Sequence, residues 1–480
     1  MRALLVQLPH EDRVPSVFPV GIANVAAAMT QEGVEVEVLD VFALGYSASD
    51  VSEYLKKSRW DVIGINAFST QYPWATIFAA EAKRHQKQAL IVMGGPLPTF
   101  NAELVLQKTA TEICVIGEGE ETIKDLVRNL GNPGEVAGIC FKSKDGRIVR
   151  TSPRPYIKDL DSLPFTNYDI FPMGVYFKWV TVPGVAGGVK TVNMLTSRGC
   201  PYACNFCSKT FRGARFRSID KIIEEIAELR DRYGIQGVIF SDELLLVKKK
   251  RTYELCEKIR PLKIYWSCQG RANNVDLDLL KTMKSVGCTS VGYGIESGSQ
   301  KILDNMNKKV TVAQNERAIT NTLKAGMIPV VQMIYGYPGE DADTIRETQE
   351  FFERIHFYPA TAMGECEFSL LTPLPGSPLY QELLANGRIA DEGSYLEKLE
   401  HGYNIDCPLR MNLTRFSDEE LLARKSLLSN QVKATYEDYA RRHPAERLRR
   451  YIRMYSSIRF VEGYPGVIRR AARSIYRHLY

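Results

Sequence analysis

The sequence predicts an α/β protein made of two successive β-α repeats: an N-terminal doubly wound, Rossmann-like sheet, then a partial (β/α)6 barrel of the TIM type, then a helical C-terminal region. Three observations carry that expectation. Apolar runs alternate with amphipathic segments from the first residues to about position 143. The alternation resumes near Lys190 and yields about six β-α units, too few to close a barrel. After Gly387 the repeats stop.

In the first repeat, Leu4 to Leu8 reads as a buried strand and Gly21 to Thr30 as an alanine-rich helix. Val34 to Asp40 is a second strand, and a helix near Ala48 to Lys57 follows. Asp61 to Asn66, Leu90 to Met93 and Ile113 to Ile116 are further strands, with a helix over Trp74 to Arg84. Open sheets of this kind bind ligands past the carboxyl ends of their strands. Those ends carry Asn66, Ser69 and Thr70, then Gly94-Gly95-Pro96, then Gly117-Glu118-Gly119-Glu120. Glycine lets backbone approach a bulky planar ligand closely. A hairpin, Gly138 to Val149, turns at Asp145-Gly146, and a proline-bearing linker, Arg154 to Phe165, leads on.

In the second repeat, Val192 to Leu195 opens a cysteine-bearing loop, and Ile219 to Tyr233 is amphipathic. Strands end at Ser241-Asp242-Glu243, Gln269-Gly270-Arg271, Glu296-Ser297-Gly298, Gly336 to Glu340 and Thr372-Pro373. Polar groups therefore recur just past each strand, where barrel active sites form. The expected domains are 1–143, a linker 144–187, 188–386 and 387–480.

A chain of 480 residues exceeds one ordinary core, which agrees with that division. Its 45% hydrophobic and 25% charged residues are those of a globular protein, and no run nears the roughly 20 apolar residues of a membrane span. Met1-Arg2 leads straight into the first strand, so no signal peptide is expected and a cytoplasmic location is. The ten cysteines then stay reduced. The net charge of +6 is concentrated past Arg441, where arginines face only Glu446 and Glu462. Gly466 to Tyr480 has apolar residues at helical spacing with arginines opposite. Two readings stand for it: a helix packed on the barrel with a solvated basic face, or one lying on an anionic membrane at its inner face. Nucleic acid is not an expected partner, because no RNA-binding module accompanies the charge.

The chemistry concentrates in Cys200-Pro201-Tyr202-Ala203-Cys204-Asn205-Phe206-Cys207, a C-x3-C-x2-C run with an aromatic before its third thiol. A zinc site closed by protein wants four ligands. Three thiols in one tight loop suit a cubane 4Fe-4S cluster with one iron left open. This run resembles the radical S-adenosylmethionine (SAM) family. The resemblance implies that the open iron chelates SAM, and that reduction splits SAM into methionine and a 5′-deoxyadenosyl radical. It also implies a SAM site at Phe206, Glu243 for the amino group, Glu296 for the ribose diol and Arg271 for the carboxylate. Where the family has Gly-Gly before the acid, this chain has Ser241-Asp242. Arg212, Arg215 and Arg217 are expected to orient the cysteine loop or the linker, with binding of an anionic substrate as the alternative.

Pro19-x-Gly21, Leu39-Asp40, Gly94-Gly95-Pro96 and Gly117-Glu118-Gly119-Glu120 resemble the cobalamin-binding domain at the front of class B radical SAM enzymes. The Asp-x-His-x-x-Gly stretch that puts histidine on cobalt in other cobalamin proteins is absent, and His10 stands in unrelated surroundings. The expected function is a cobalamin-dependent enzyme that cleaves SAM and methylates an unactivated carbon of a small-molecule or lipid substrate. An external flavodoxin- or ferredoxin-type donor would supply electrons. The alternative keeps both cofactors and closes a ring, rearranges a skeleton or couples carbons, as the magnesium-protoporphyrin cyclase branch does. A tRNA methylthiotransferase would carry three spaced cysteines in its front domain, where only Cys114 and Cys140 lie. A non-catalytic cobalamin or cluster sensor would need no SAM.

Overall fold

The computed structural model describes residues 1–9, 14–185, 189–357, 368–400 and 408–445. His10 and the basic segment 466–480 lie outside the described residues. The chain divides into two compact units. The first comprises Met1–Trp179, Phe206–Phe216 and Pro373–Gly402; the second comprises Val180–Asn205, Arg217–Thr372 and Tyr403–Tyr480.

The first unit holds a seven-stranded sheet: β1 (Arg2–Gln7), β2 (Glu35–Asp40), β3 (Val62–Asn66), β4 (Leu90–Gly94), β5 (Ile113–Val115), β6 (Ile139–Lys142) and β7 (Ile148–Arg150), in spatial order β2-β1-β3-β4-β5-β6-β7. The first five strands run parallel, and the β6–β7 hairpin continues the sheet antiparallel to β5. The expected border at 143 thus falls between two strands of one sheet. Strand order reverses direction between β1 and β3, which makes the crevice past their carboxyl ends the natural ligand position of such a sheet. The inner strands β1, β3, β4 and β5 are mostly buried and apolar, as strands covered by helices on both faces are. Val20–Gln31 buries Ile22, Ala23, Ala26, Ala27, Ala28 and Met29. It lies against Glu120–Arg128, where a Cβ on Gly119 would stand 3.0 Å from Val25 Cγ2. Ala48–Lys57 starts at a capping box, Ser47 with Asp50. Residues past the hairpin pack into this unit as well. Phe18 stacks on Tyr168 at 4.9 Å and meets Phe171 and Tyr176 edge-on, and Tyr176 donates its hydroxyl to buried Asp40 at the end of β2.

The second unit holds six parallel strands: β8 (Thr191–Met194), β9 (Gly237–Phe240), β10 (Tyr265–Gly270), β11 (Cys288–Glu296), β12 (Ile328–Tyr335) and β13 (Phe368–Leu370), paired in chain order. This is the predicted open (β/α)6 arc. Its helices start where the sequence offers caps: Ser218 for Ile219–Tyr233, Thr311 with Gln314 for Val312–Lys324, and Asp341 with Thr344 for Ala342–Ile355. Gly234, at φ +67, closes the first of these. Toward the C-terminus the helix Asp418–Arg442 is capped by Ser417 and packs on Ala342–Ile355. Among the described residues no helix is long and apolar enough to cross a membrane.

Candidate functional site

The strand ends of the first unit form a crest knitted by amide groups. Asn66 donates to Gln7 across the β1–β3 crevice at 3.0 Å. Gln71 donates to Pro9 O at 2.8 Å and to Leu8 O at 3.3 Å. Ser69 and Thr70 are buried in a 3-10 turn directly past β3. After β4, Gly94 is half-buried, and Gly95 turns at φ +98 to start the helix Pro96–Lys108. A Cβ on Gly95 would stand 2.7 Å from Ala67 O and 2.9 Å from Asn66 Oδ1, so only glycine fits. After β5, Gly117 takes φ +78 with open space beside it, and its N–H donates to Thr99 Oγ1 at 3.1 Å. The residues predicted for cobalamin therefore gather at one edge of one sheet. Their offer to a ligand is backbone and small polar groups. Glu118 is otherwise engaged: its buried carboxylate accepts from Arg215 Nη1 at 2.8 and 2.9 Å and from Ile157 N at 2.8 Å. Glu120 is buried at the first turn of Glu120–Arg128. A planar, amide-rimmed ligand of low net charge fits this donor set.

The strand ends of the second unit carry charge. Past β9, Asp242 is buried and accepts from Thr196 N (2.9 Å), Thr196 Oγ1 (3.1 Å) and Ser197 Oγ (2.5 Å). Burial pushes its carboxyl up from the ordinary value, and these donors pull it back down. The departure from Gly-Gly thus has a use: Asp242 ties the entry of the cysteine loop to the neighbouring strand. Glu243, one residue on, is exposed.

Past β10, Arg271 is 7% exposed. Its guanidinium lies 3.7 Å over the Tyr202 ring, and Nη1 reaches Cys204 Sγ at 3.9 Å. Asn274 holds Tyr202 in place, bonding its hydroxyl at 3.1 Å and Leu246 O at 3.0 Å. Nε and Nη2 of Arg271 are buried with no hydrogen-bond partner. A buried guanidinium without a carboxylate is costly, and two spare parallel donors match a bidentate carboxylate.

Past β11, Glu296 is buried at φ +65, beyond an irregularity in strand pairing at Gly294/Glu296. Such backbone is strained for a side-chain-bearing residue and concentrates at functional positions. Asn315 donates to Ile295 O at 3.1 Å and supports the turn. Lys308, also buried, donates to Glu296 Oε1 at 2.6 Å. A Cβ on Gly294 would meet that same oxygen at 2.3 Å. Sequence reading missed Lys308 and Asn315, which stand well past β11 and belong to no motif.

Cys204 is buried, and Cys200 and Cys207 are half-buried; no described cysteine is in a disulfide. Among the described residues no three His, Cys, Asp or Glu side chains already stand together as a metal site. The loop is nevertheless anchored. Asn205 N bonds Met306 O at 3.0 Å, its side chain bonds Asn305 O at 3.0 Å, and Asn307 donates to Ala203 O at 2.7 Å. Three thiols in one short run are the residue types that ligate an iron–sulfur cluster, and Arg271 lies beside Cys204. Arg217 pairs with Glu225 and donates to Leu195 O, just before the cysteine loop.

Comparison with known proteins agrees in both halves. The family model described as Radical SAM superfamily matches residues 194–352, and that described as B12 binding domain matches 13–127. A Pyrococcus horikoshii protein, described as uncharacterized methyltransferase PH0819, is 32% identical over 89% of this chain and 92% of its own. The anaerobic magnesium-protoporphyrin IX monomethyl ester cyclase of Cereibacter sphaeroides is 30% identical over 78% of this chain, which spans 62% of that relative's length. The structure of the methyltransferase TsrM from Kitasatospora setae, with cobalamin and a 4Fe-4S cluster bound, superposes at a TM-score of 0.65 and 19% identity, covering 80% of this chain and 78% of that one.

Proposed function

Because the chain belongs to the cobalamin-binding radical SAM enzymes, we propose that it is a C-methyltransferase in which Cys200, Cys204 and Cys207 hold the 4Fe-4S cluster. The observation that carries the site is Arg271, a buried guanidinium with two unpartnered N–H groups beside Cys204. It receives the SAM carboxylate. Glu243 accepts from the SAM ammonium, Glu296 from the ribose diol with Lys308 holding its other flank, and Phe206 contributes to the SAM site. Asn66, Ser69, Thr70, Gly94, Gly95, Pro96, Gly117, Gly119 and Glu120 form the corrinoid crest, with Glu118 fixing that crest from behind. When bound, these cofactors supply reductive SAM cleavage and methyl delivery, while the protein orients and excludes water. Electrons come from a small external donor, and a reducing cytoplasm suits thiols that stay unoxidised.

The test is anaerobic incubation of the reconstituted full chain with reductant, cobalamin and SAM deuterated in its methyl group, against small-molecule and lipid extracts. Formation of 5′-deoxyadenosine with a product carrying the labelled methyl supports the reading. The identity with the cyclase gives a second reading, in which the product loses hydrogens and gains no label. No 5′-deoxyadenosine under any condition sinks both.

A further inference from the structure

Glu118 lies between the two glycines of the β5 loop, yet its carboxylate faces protein. The partner, Arg215, comes from the segment Phe206–Phe216, which belongs to the same unit and begins at the residue before Cys207. Arg215 Nη1 donates to both oxygens of Glu118 and to Ile157 O, and Ile157 N returns a bond to Glu118. The guanidinium is flanked by Tyr156 at 4.9 Å and Phe211 at 5.5 Å, rings that meet edge-on. At the other end of the segment, Ser208 Oγ donates to Pro375 O at 2.5 Å. The segment carrying the third thiol is thus fastened at both ends, and one fastening is a buried carboxylate of the corrinoid crest. Breaking a buried pair on one side leaves an uncompensated charge, so this fastening is far stiffer than a surface ion pair. Nε and Nη2 of Arg215 are buried with no hydrogen-bond partner.

We propose that Glu118 and Arg215 are positioning residues that couple corrinoid binding to the seating of Cys207, so that each cofactor tightens the hold on the other. This rests on the functional reading above. Coupling of this kind is reciprocal: a cluster that strengthens cobalamin binding must be retained better when cobalamin is present.

The experiment titrates the full chain anaerobically with aquocobalamin, without SAM, once with its cluster reconstituted and once free of iron. In parallel, iron loss to a chelator is timed with and without cobalamin. The wild-type chain should bind cobalamin about tenfold more tightly with the cluster in place and should lose iron more slowly when cobalamin is bound. Arg215→Gln and Glu118→Gln should bring the affinity ratio to about one. Arg215→Lys, which keeps the charge without the planar fork, tests the same point in a variant that preserves the buried charge balance, and should retain only part of the ratio. Equal affinities in the two wild-type forms, or a full ratio surviving in both Arg215 variants, overturn the coupling alone. A wild-type chain that binds no cobalamin in either form overturns the functional reading and the coupling with it.

Discussion

The two sheets end in unlike crests. Past β3, β4 and β5 the first unit presents glycine backbone and side-chain amides, and its buried carboxylate, Glu118, is already matched by Arg215. Past β9, β10 and β11 the second unit presents Asp242, Arg271 and the Glu296–Lys308 pair, all buried, with Arg271 only partly satisfied. On the proposed function, the difference teaches how a fold prepares for ligands of different polarity. A large ligand of low net charge needs shape and hydrogen-bonding backbone, which cost little to leave exposed. A compact zwitterion needs fixed charges, which must be supported by neighbours until it arrives.

The sharpest way to break this contrast is at the cysteine loop. Cys204→Ser should reduce bound iron from about four per chain to near zero after reconstitution, measured by iron assay and by loss of the brown absorbance. The first crest should be untouched, so aquocobalamin should still bind this variant as it binds the iron-free wild type. Next in size is Lys308→Met. Leaving Glu296 buried without its cation should cost about 3–5 kcal/mol, read as a lowered urea midpoint with an unchanged slope. Replacing both partners at once should cost less than the single change, because no lone charge remains.

Arg271→Gln and Gly95→Val then set the two crests side by side. The first should weaken SAM binding about 10- to 100-fold by calorimetry, as loss of a charged hydrogen bond does, while leaving cobalamin affinity intact. The second should do the reverse. A β-branched residue at φ +98 should cost about 1–3 kcal/mol in backbone strain and abolish cobalamin binding, with SAM affinity unchanged. If either variant harmed both ligands equally, the division of labour would fail.

A pH dependence is also expected from a buried carboxyl of the second unit. Burial raises the Glu340 carboxyl to about 7 from an ordinary 4.5, against the pull of the Gly336 and Tyr337 N–H groups. The folded chain therefore keeps a proton that the unfolded chain has released. The stability this group contributes is fully present below about 4.5, declines as pH rises toward about 7 and is then level. Glu340→Gln cannot ionise. Its stability relative to wild type should improve by about 2–3 kcal/mol between pH 4.5 and 8, measured by denaturant titration across that range.

Much of this was legible beforehand, for identifiable reasons. Strands such as Leu90–Gly94 are apolar throughout because helices cover both faces, and helices such as Ile219–Tyr233 announce themselves by period and cap. The loops at strand ends were legible because glycine pairs and a cysteine run are local signals. What was hidden depends on packing between distant segments. Lys308 meets Glu296 from beyond a helix, and Asn315 holds Ile295 O from the helix after that. Asp242 read as a departure from a glycine motif, and only its three bonds to Thr196 and Ser197 reveal it as an anchor. Glu118 read as a ligand contact because its neighbours are glycines, whereas its side chain turns inward. The hairpin at β6–β7 was foreseen, but its membership of the sheet depended on pairing with β5, which no turn signal encodes.

The hydroxyl collar around Asp242 has a practical corollary. It is assembled entirely from protein groups, so on the proposed function the entrance to the thiol loop should keep its shape when oxygen strips the cluster away. Material prepared in air should consequently be an intact empty vessel, ready to be refilled under argon with ferrous salt and sulfide, with no refolding step.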